Sequence, residues 1–156
     1  MEQEKNLSNI EIELLLKSMS LDKQSFQNKV ILLIDDDKWI HRVVSHYLSN
    51  WGFHPISAFD PVEGVAMAIK ERPRLILLDI VMPDIKGDVL LKLLKKIDLT
   101  SNIPIIILSG NLNIELLGAT YKDGAMGFIS KPIKEVILLK KIKEVLMPAD
   151  LIDFRM

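Results

Sequence analysis

With 156 residues, 49% of them apolar and 26% charged, the chain has the size and balance of one globular domain with short appendages, not of a disordered or membrane-embedded protein. Lys and Arg number 20 against 21 Asp and Glu, for a net charge of -1, and the lysines are scattered among acids, which disfavours direct nucleic-acid binding. The absence of cysteine excludes disulfides and Cys-based metal or redox sites, and the polar start and short apolar runs give no secretory or membrane-spanning segment, so a cytoplasmic protein with no membrane contact is expected.

Residues 1–28 are expected to form a helical extension and linker. "SNIEIELLLKSM" holds a capping box, Ser8 with Glu11, followed by Ile10, Ile12, Leu14, Leu15, Leu16 and Met19. A short apolar helix follows from this pattern, and it either packs back on the domain, dimerises the protein or docks on a partner. The polar "DKQSFQNK" (22–29) reads as a linker, 29–147 as the main domain, and 148–156 as a tail too short for an output domain.

From residue 30, "VILLI" (30–34), "PISAF" (55–59), "LILL" (75–78), "PIIIL" (104–108) and "GFIS" (127–130) have strand length and β-branched content. Segments of helical period lie between and after them, at about 38–50, 60–71, 87–98, 112–122 and 133–147. The second opens on "DPVEG", with Asp60 as N-cap, Pro61 at the first helical position and Glu63 placed to reach back. Five strands alternating with five helices predict an α/β fold with a parallel sheet, and the continuous apolar runs of strands three and four suit a sheet covered on both faces.

Ligands of open α/β sheets bind beyond the carboxyl ends of the strands. The first strand ends in Asp35-Asp36, the third in Asp79, the fourth in Ser109 and the fifth in Lys131; the second delivers no such group. Two carboxylates held about 4 Å apart in a partly buried site repel by about 4 kcal/mol at an effective dielectric near 20, so in the run "ILLIDDD" something must offset the repulsion or the acids must escape to water. Carboxylates without nearby His or Cys suit Mg²⁺, which commonly completes its shell with water and phosphate oxygens. Lys131 and the Ser109 hydroxyl fit as ligands of the same anion. Asp79, alone on the central strand, is then the candidate nucleophile, able to form an aspartyl phosphate.

With "IDDD", "LLDIVMPDIKG", "ILSG" and "FISKP" in this order, Ser109 thirty and Lys131 fifty-two residues after Asp79, the sequence resembles the receiver domain of two-component response regulators over roughly residues 29–147. The resemblance implies a doubly wound, flavodoxin-like sheet of order 2-1-3-4-5 with helices on both faces. It implies that Asp79 accepts a phosphoryl group from a sensor histidine kinase or phosphotransfer protein. Asp36, Asp79 and the Val81 backbone carbonyl would bind Mg²⁺ directly, and Asp35 mostly through water. Lys131 would pair with the phosphoryl group, Ser109 would move to hydrogen-bond it, and Phe128 would follow as the aromatic switch. The 112–147 face would carry the signal to a partner, or to a second copy as would the N-terminal helix, and the Lys131-Pro132 bond would be cis. Such a protein is no turnover enzyme; it catalyses only its own phosphorylation and dephosphorylation. Val81 and Asn111 occupy positions that tune water attack, and an apolar Val81 implies no unusually fast self-hydrolysis. Phe128 lacks the hydroxyl of the Tyr in many relatives, so signals resting on that hydroxyl are lost.

The remaining polar residues have plainer readings. Asp37 should face solvent or cap the next helix. His41 and His46 are five apart, the wrong spacing for a metal-binding helix pair, and read as surface or packing residues. Trp39 either shields the acidic site or is partly buried for packing, and "LKKIKE" (139–144) reads as a solvated helix face. A phosphatase of the haloacid dehalogenase type would want Asp-x-Asp followed by Thr or Val two residues on, where this chain has Lys38 and Trp39. A constitutive interaction module usually lacks an acid or the lysine, and this chain keeps them.

Overall fold

The computed structural model describes residues 2–20, 28–83, 86–110 and 113–147. Strands form where short runs of Val, Ile and Leu can be buried on both faces: β1 (Val30–Ile34), β2 (His54–Ala58), β3 (Leu75–Asp79), β4 (Ile105–Ser109) and β5 (Gly127–Ser130). They make a parallel sheet of order β2-β1-β3-β4-β5, as the sequence implies. Every residue of β3 and β4 is buried. Three strands, β2, β3 and β4, shift by one residue at one or both ends. Asp79 and Ser109 are polar yet stay in the ladder, opposite Leu108 and Ser130. β2 begins at His54, whose N–H donates to Lys29 O at 2.8 Å, and ends before Phe59, whose N–H goes to Glu63 Oε2 at 3.2 Å.

The chain divides into two units, one of residues 28–133 and the other built from α1 (Glu2–Ser20) and α6 (Glu135–Leu146). In the larger unit, α2 (Lys38–Asn50) packs on β2, α3 (Pro61–Glu71) on β1 and β2, and α4 (Gly87–Lys96) on β3; α5 is Ile114–Lys122. α3 and α4 lie side by side, and the general right-handedness of parallel crossovers puts α2 on the opposite face because the strand order reverses at β1. The core there joins Leu32, Ile34, Ile76, Leu78, Ile105 and Ile107 of the sheet to Ala68, Leu90, Leu91 and Leu94 of the helices.

Helix ends follow local chemistry. Asp60 accepts the Glu63 N–H at 2.8 Å, and Pro61 opens α3. Asn113 caps α5, which therefore starts at Ile114 and not at 112. α4 stops at Lys96, short of the expected 98, where the Thr100 hydroxyl donates to Leu94 O at 2.6 Å and the Lys95 ammonium to Ile103 O at 2.7 Å. Asn28 is no linker residue: its side chain accepts the Val30 N–H at 3.0 Å and donates to Arg72 O at 2.9 Å. In the smaller unit α1 packs along α6, with Ile12 buried and Glu11 paired to Lys140. The helix α1 begins at Glu2, so the expected capping box at Ser8 lies inside it: "EQEKNL" upstream is made mostly of good helix formers. Most of the expected linker, Asn111 and the 148–156 tail lie outside the described residues. Among the described residues no helix is long and apolar enough to cross a membrane.

Candidate functional site

Parallel strands bring their carboxyl ends to one edge, where β1, β3 and the turn after β5 converge. Asp35 follows β1 and is fully buried. Its N–H donates to Ala58 O at 3.1 Å, and its Oδ1 accepts the Asp37 N–H at 2.9 Å. Asp37 in turn caps α2, its Oδ1 accepting the Trp39 N–H at 2.8 Å. The triplet is thereby divided, with Asp35 turned inward, Asp36 exposed and Asp37 exposed as a helix cap. An Asp37 engaged as a cap does not act beside Asp35 as the haloacid dehalogenase pattern needs.

Asp79 ends β3, buried, with Oδ1 accepting the Val81 N–H at 3.1 Å. One carboxylate oxygen from each of Asp35, Asp36 and Asp79 lies within 4.8 Å of the others. The Lys131 ammonium stands between two of these acids, 2.9 Å from Asp35 Oδ2 and 3.5 Å from Asp79 Oδ2. Burial opposes the charge of Lys131, yet the two carboxylates outweigh it and hold its pKa above the ordinary lysine value. Burial also pushes the Asp79 carboxyl up to about 6; the Val81 N–H and Lys131 oppose the rise, and Asp35 and Asp36 add to it.

These residues suit a hard cation. The three acids offer only oxygen, and the buried Asp35 Oδ2 is held as an ion-pair partner of the Lys131 ammonium at 2.9 Å. Such an acceptor is what an oxygen-seeking ion such as Mg²⁺ requires.

Ser109 ends β4 and is fully buried; its carbonyl accepts the Lys131 N–H at 2.8 Å, so β4 fixes the turn that carries the lysine. The Lys131–Pro132 peptide is cis. Phe128 lies on β5 opposite Ile107, half-buried against the core. Val81 and Trp39 are 65% and 66% exposed, which removes the packing explanation for Trp39.

His41, read as a surface or packing residue, is buried with both ring nitrogens engaged, Nδ1 2.8 Å from Ser57 Oγ and Nε2 2.6 Å from Asp35 O. It stands in the first turn after the Asp37 cap, six residues from Asp35, a placement that metal-ligand spacing does not address. His46 is exposed beside Asn50.

Comparison with known proteins agrees with this geometry. Residues 31–143 match the model of the response regulator receiver domain. Protein PilH of Pseudomonas aeruginosa is 34% identical over 116 residues, covering 74% of this chain and 96% of that protein. The transcriptional regulator RpaA of Synechocystis is 31% identical over 122 residues, 77% of this chain and 50% of that protein. This chain spans about half the length of several such relatives, and because they are named as transcriptional regulators, the expectation against nucleic-acid contact has no support from them. Among solved structures, the chemotaxis protein CheY4 of Vibrio cholerae superimposes with a TM-score of 0.73 at 30% identity, covering 76% of this chain and 99% of that one. A CheY of Borrelia burgdorferi, solved in a complex with CheX, BeF₃ and Mg²⁺, gives 0.72 at 25% identity, over 76% of this chain and 89% of that one.

Proposed function

The chain belongs to the receiver-domain family of response regulators, and from that premise we propose that Asp79 accepts a phosphoryl group from a phosphohistidine of a sensor kinase or phosphotransfer protein. The observation that carries the reading is the position of Lys131, within 3.5 Å of two of three clustered acids at one sheet edge. Asp36, Asp79 and the Val81 carbonyl are the direct Mg²⁺ ligands of this proposal, with Asp35 acting mostly through water. Bound there, the cation neutralises the acids and the incoming phosphoryl oxygens.

The chain's own residues do the rest. An Asp79 carboxylate oxygen attacks phosphorus in line; the new O–P bond forms as the P–N bond to the donor histidine breaks, and the freed imidazole leaves with the bonding pair. Lys131 exchanges part of its pairing with Asp35 and Asp79 for the transferred oxygens. Ser109 supplies a hydroxyl to one of them, and Phe128 passes the change into the 112–147 segment, which meets a partner or a second copy. An exposed, apolar Val81 cannot orient a water molecule, so the phosphorylated state outlasts seconds. BeF₃ in the Borrelia complex is a phosphoryl mimic, and its presence there with Mg²⁺ supports the same use of this site.

Mass spectrometry after incubation with acetyl phosphate and MgCl₂ tests the proposal. One phosphoryl adduct is expected, lost in Asp79→Asn and absent without Mg²⁺. No adduct on the wild-type chain would overturn it.

A further inference from the structure

We propose that His41 is a positioning residue of the metal-binding loop, acting through the backbone of Asp35; this inference rests on the receiver reading. A carbonyl oxygen only accepts, so Nε2 carries the proton and donates to Asp35 O across 2.6 Å. With Nε2 fixed as the donor by the carbonyl, Nδ1 of the neutral ring is the acceptor, and the Ser57 hydroxyl, able to donate or accept, turns its proton toward it across 2.8 Å. Phe59, its centroid 4.2 Å away at a 37° tilt, covers the imidazole. The ring is 5% exposed, so water does not compete for either bond.

The arrangement spans three elements. His41 stands on the first turn of α2, where its N–H reaches Asp37 O at 3.3 Å. Ser57 belongs to β2 and Asp35 follows β1. Every polar group of Asp35 except Oδ2 thus has a hydrogen-bond partner: N–H to Ala58, carbonyl from His41 and Oδ1 from the Asp37 N–H. What remains is the buried Oδ2, held for an ion or for Lys131. Without the imidazole the carbonyl between Asp35 and Asp36 loses its donor, and the peptide that sets the direction of both acids can rotate. An outer group that orients metal ligands in this way typically contributes 10- to 100-fold in affinity.

The side chains of Gln and Asn separate this role from packing. Gln places an amide N–H about where Nε2 stands, whereas Asn reproduces only Nδ1. Titration of the full chain with MgCl₂ alone, followed by tryptophan fluorescence with Trp39 on the same helical turn, should show binding weakened about tenfold or more in His41→Asn and His41→Leu. It should be restored to within about threefold in His41→Gln. Urea unfolding without metal supplies the stability of each variant. Should His41→Leu not fold, the Gln and Asn pair decides alone. Equal affinity in Gln and Asn, or losses that only follow stability, would overturn the proposal. Failure of the receiver reading itself would look different: the wild-type chain would neither bind Mg²⁺ nor take an adduct.

Discussion

Asp79 shows how one buried carboxyl ties reactivity to stability. Its pKa rises from 3.8 to about 6, so between these values the folded protein holds a proton that the unfolded chain has lost. Stability therefore falls as pH rises from about 4 to about 6, and stays lower above, by on the order of 2–3 kcal/mol for a shift of about two units. Asp79→Asn should remove most of this dependence and stabilise the metal-free protein at neutral pH; parallel urea curves for the two proteins across that range would refute it. Attack on phosphorus needs the carboxylate, so labelling by acetyl phosphate in the presence of MgCl₂ should slow as the pH falls and Asp79 takes up its proton, and a higher Mg²⁺ concentration should move the decline to lower pH. The acids and the lysine were legible in sequence because each ends an apolar run. His41 was not, because nothing in a linear pattern shows that a first-turn imidazole meets a carbonyl six residues earlier.

At the scale of elements, the approach of α4 to the end of β3 is the tightest. A Cβ on Gly87 would meet Ile80 Cα at 2.5 Å and Asp79 O at 2.6 Å, both backbone atoms that cannot swing aside. Gly87→Ala should therefore destabilise the fold by about 1–3 kcal/mol and slow phosphorylation of Asp79, as read by unfolding and by adduct formation. Gly64 is the control: the atoms a Cβ there meets first belong to the side chain of Ile34, Cδ1 at 2.8 Å, Cγ2 at 3.0 Å and Cγ1 at 3.1 Å, and not to the backbone, and a better helix former offsets part of the crowding. Gly64→Ala should stay within about 1 kcal/mol of wild type. The five strands and five alternating helices could be read from the sequence, because apolar runs of strand length alternated with segments of helical period. Their ends could not be fixed to the residue, because side chains outside each pattern decide them, as Glu63 does for β2 and Thr100 for α4.

For the whole molecule, Mg²⁺ bound as proposed would be a ligand of the folded state alone, since the unfolded chain does not hold Asp35, Asp36 and Asp79 together. At ten times its dissociation constant Mg²⁺ should add about 1.4 kcal/mol of stability, and calorimetric melting should show the rise in wild type and its loss in Asp36→Asn. An equal rise in both proteins would place the ion elsewhere. Sequence reasoning supplied the strand order through resemblance to a family. It did not divide the chain into the unit of residues 28–133 and the α1–α6 pair, because buried positions in a helix do not name the helix they meet.

The order β2-β1-β3 also bears on how the chain comes to be folded. Of the five strands of this sheet β1 is synthesised first, yet it lies between two neighbours, and the second of them ends only at Asp79. Until that residue has left the ribosome, "VILLI" has one open edge, and it is a short, β-branched, uncharged segment of the kind that pairs with other chains. Nascent chains stopped after β2 should therefore aggregate or recruit chaperones, and those extended past β4 should not. The interval of synthesis between β1 and β3, not the finished sheet, is where this domain is most exposed to misassembly.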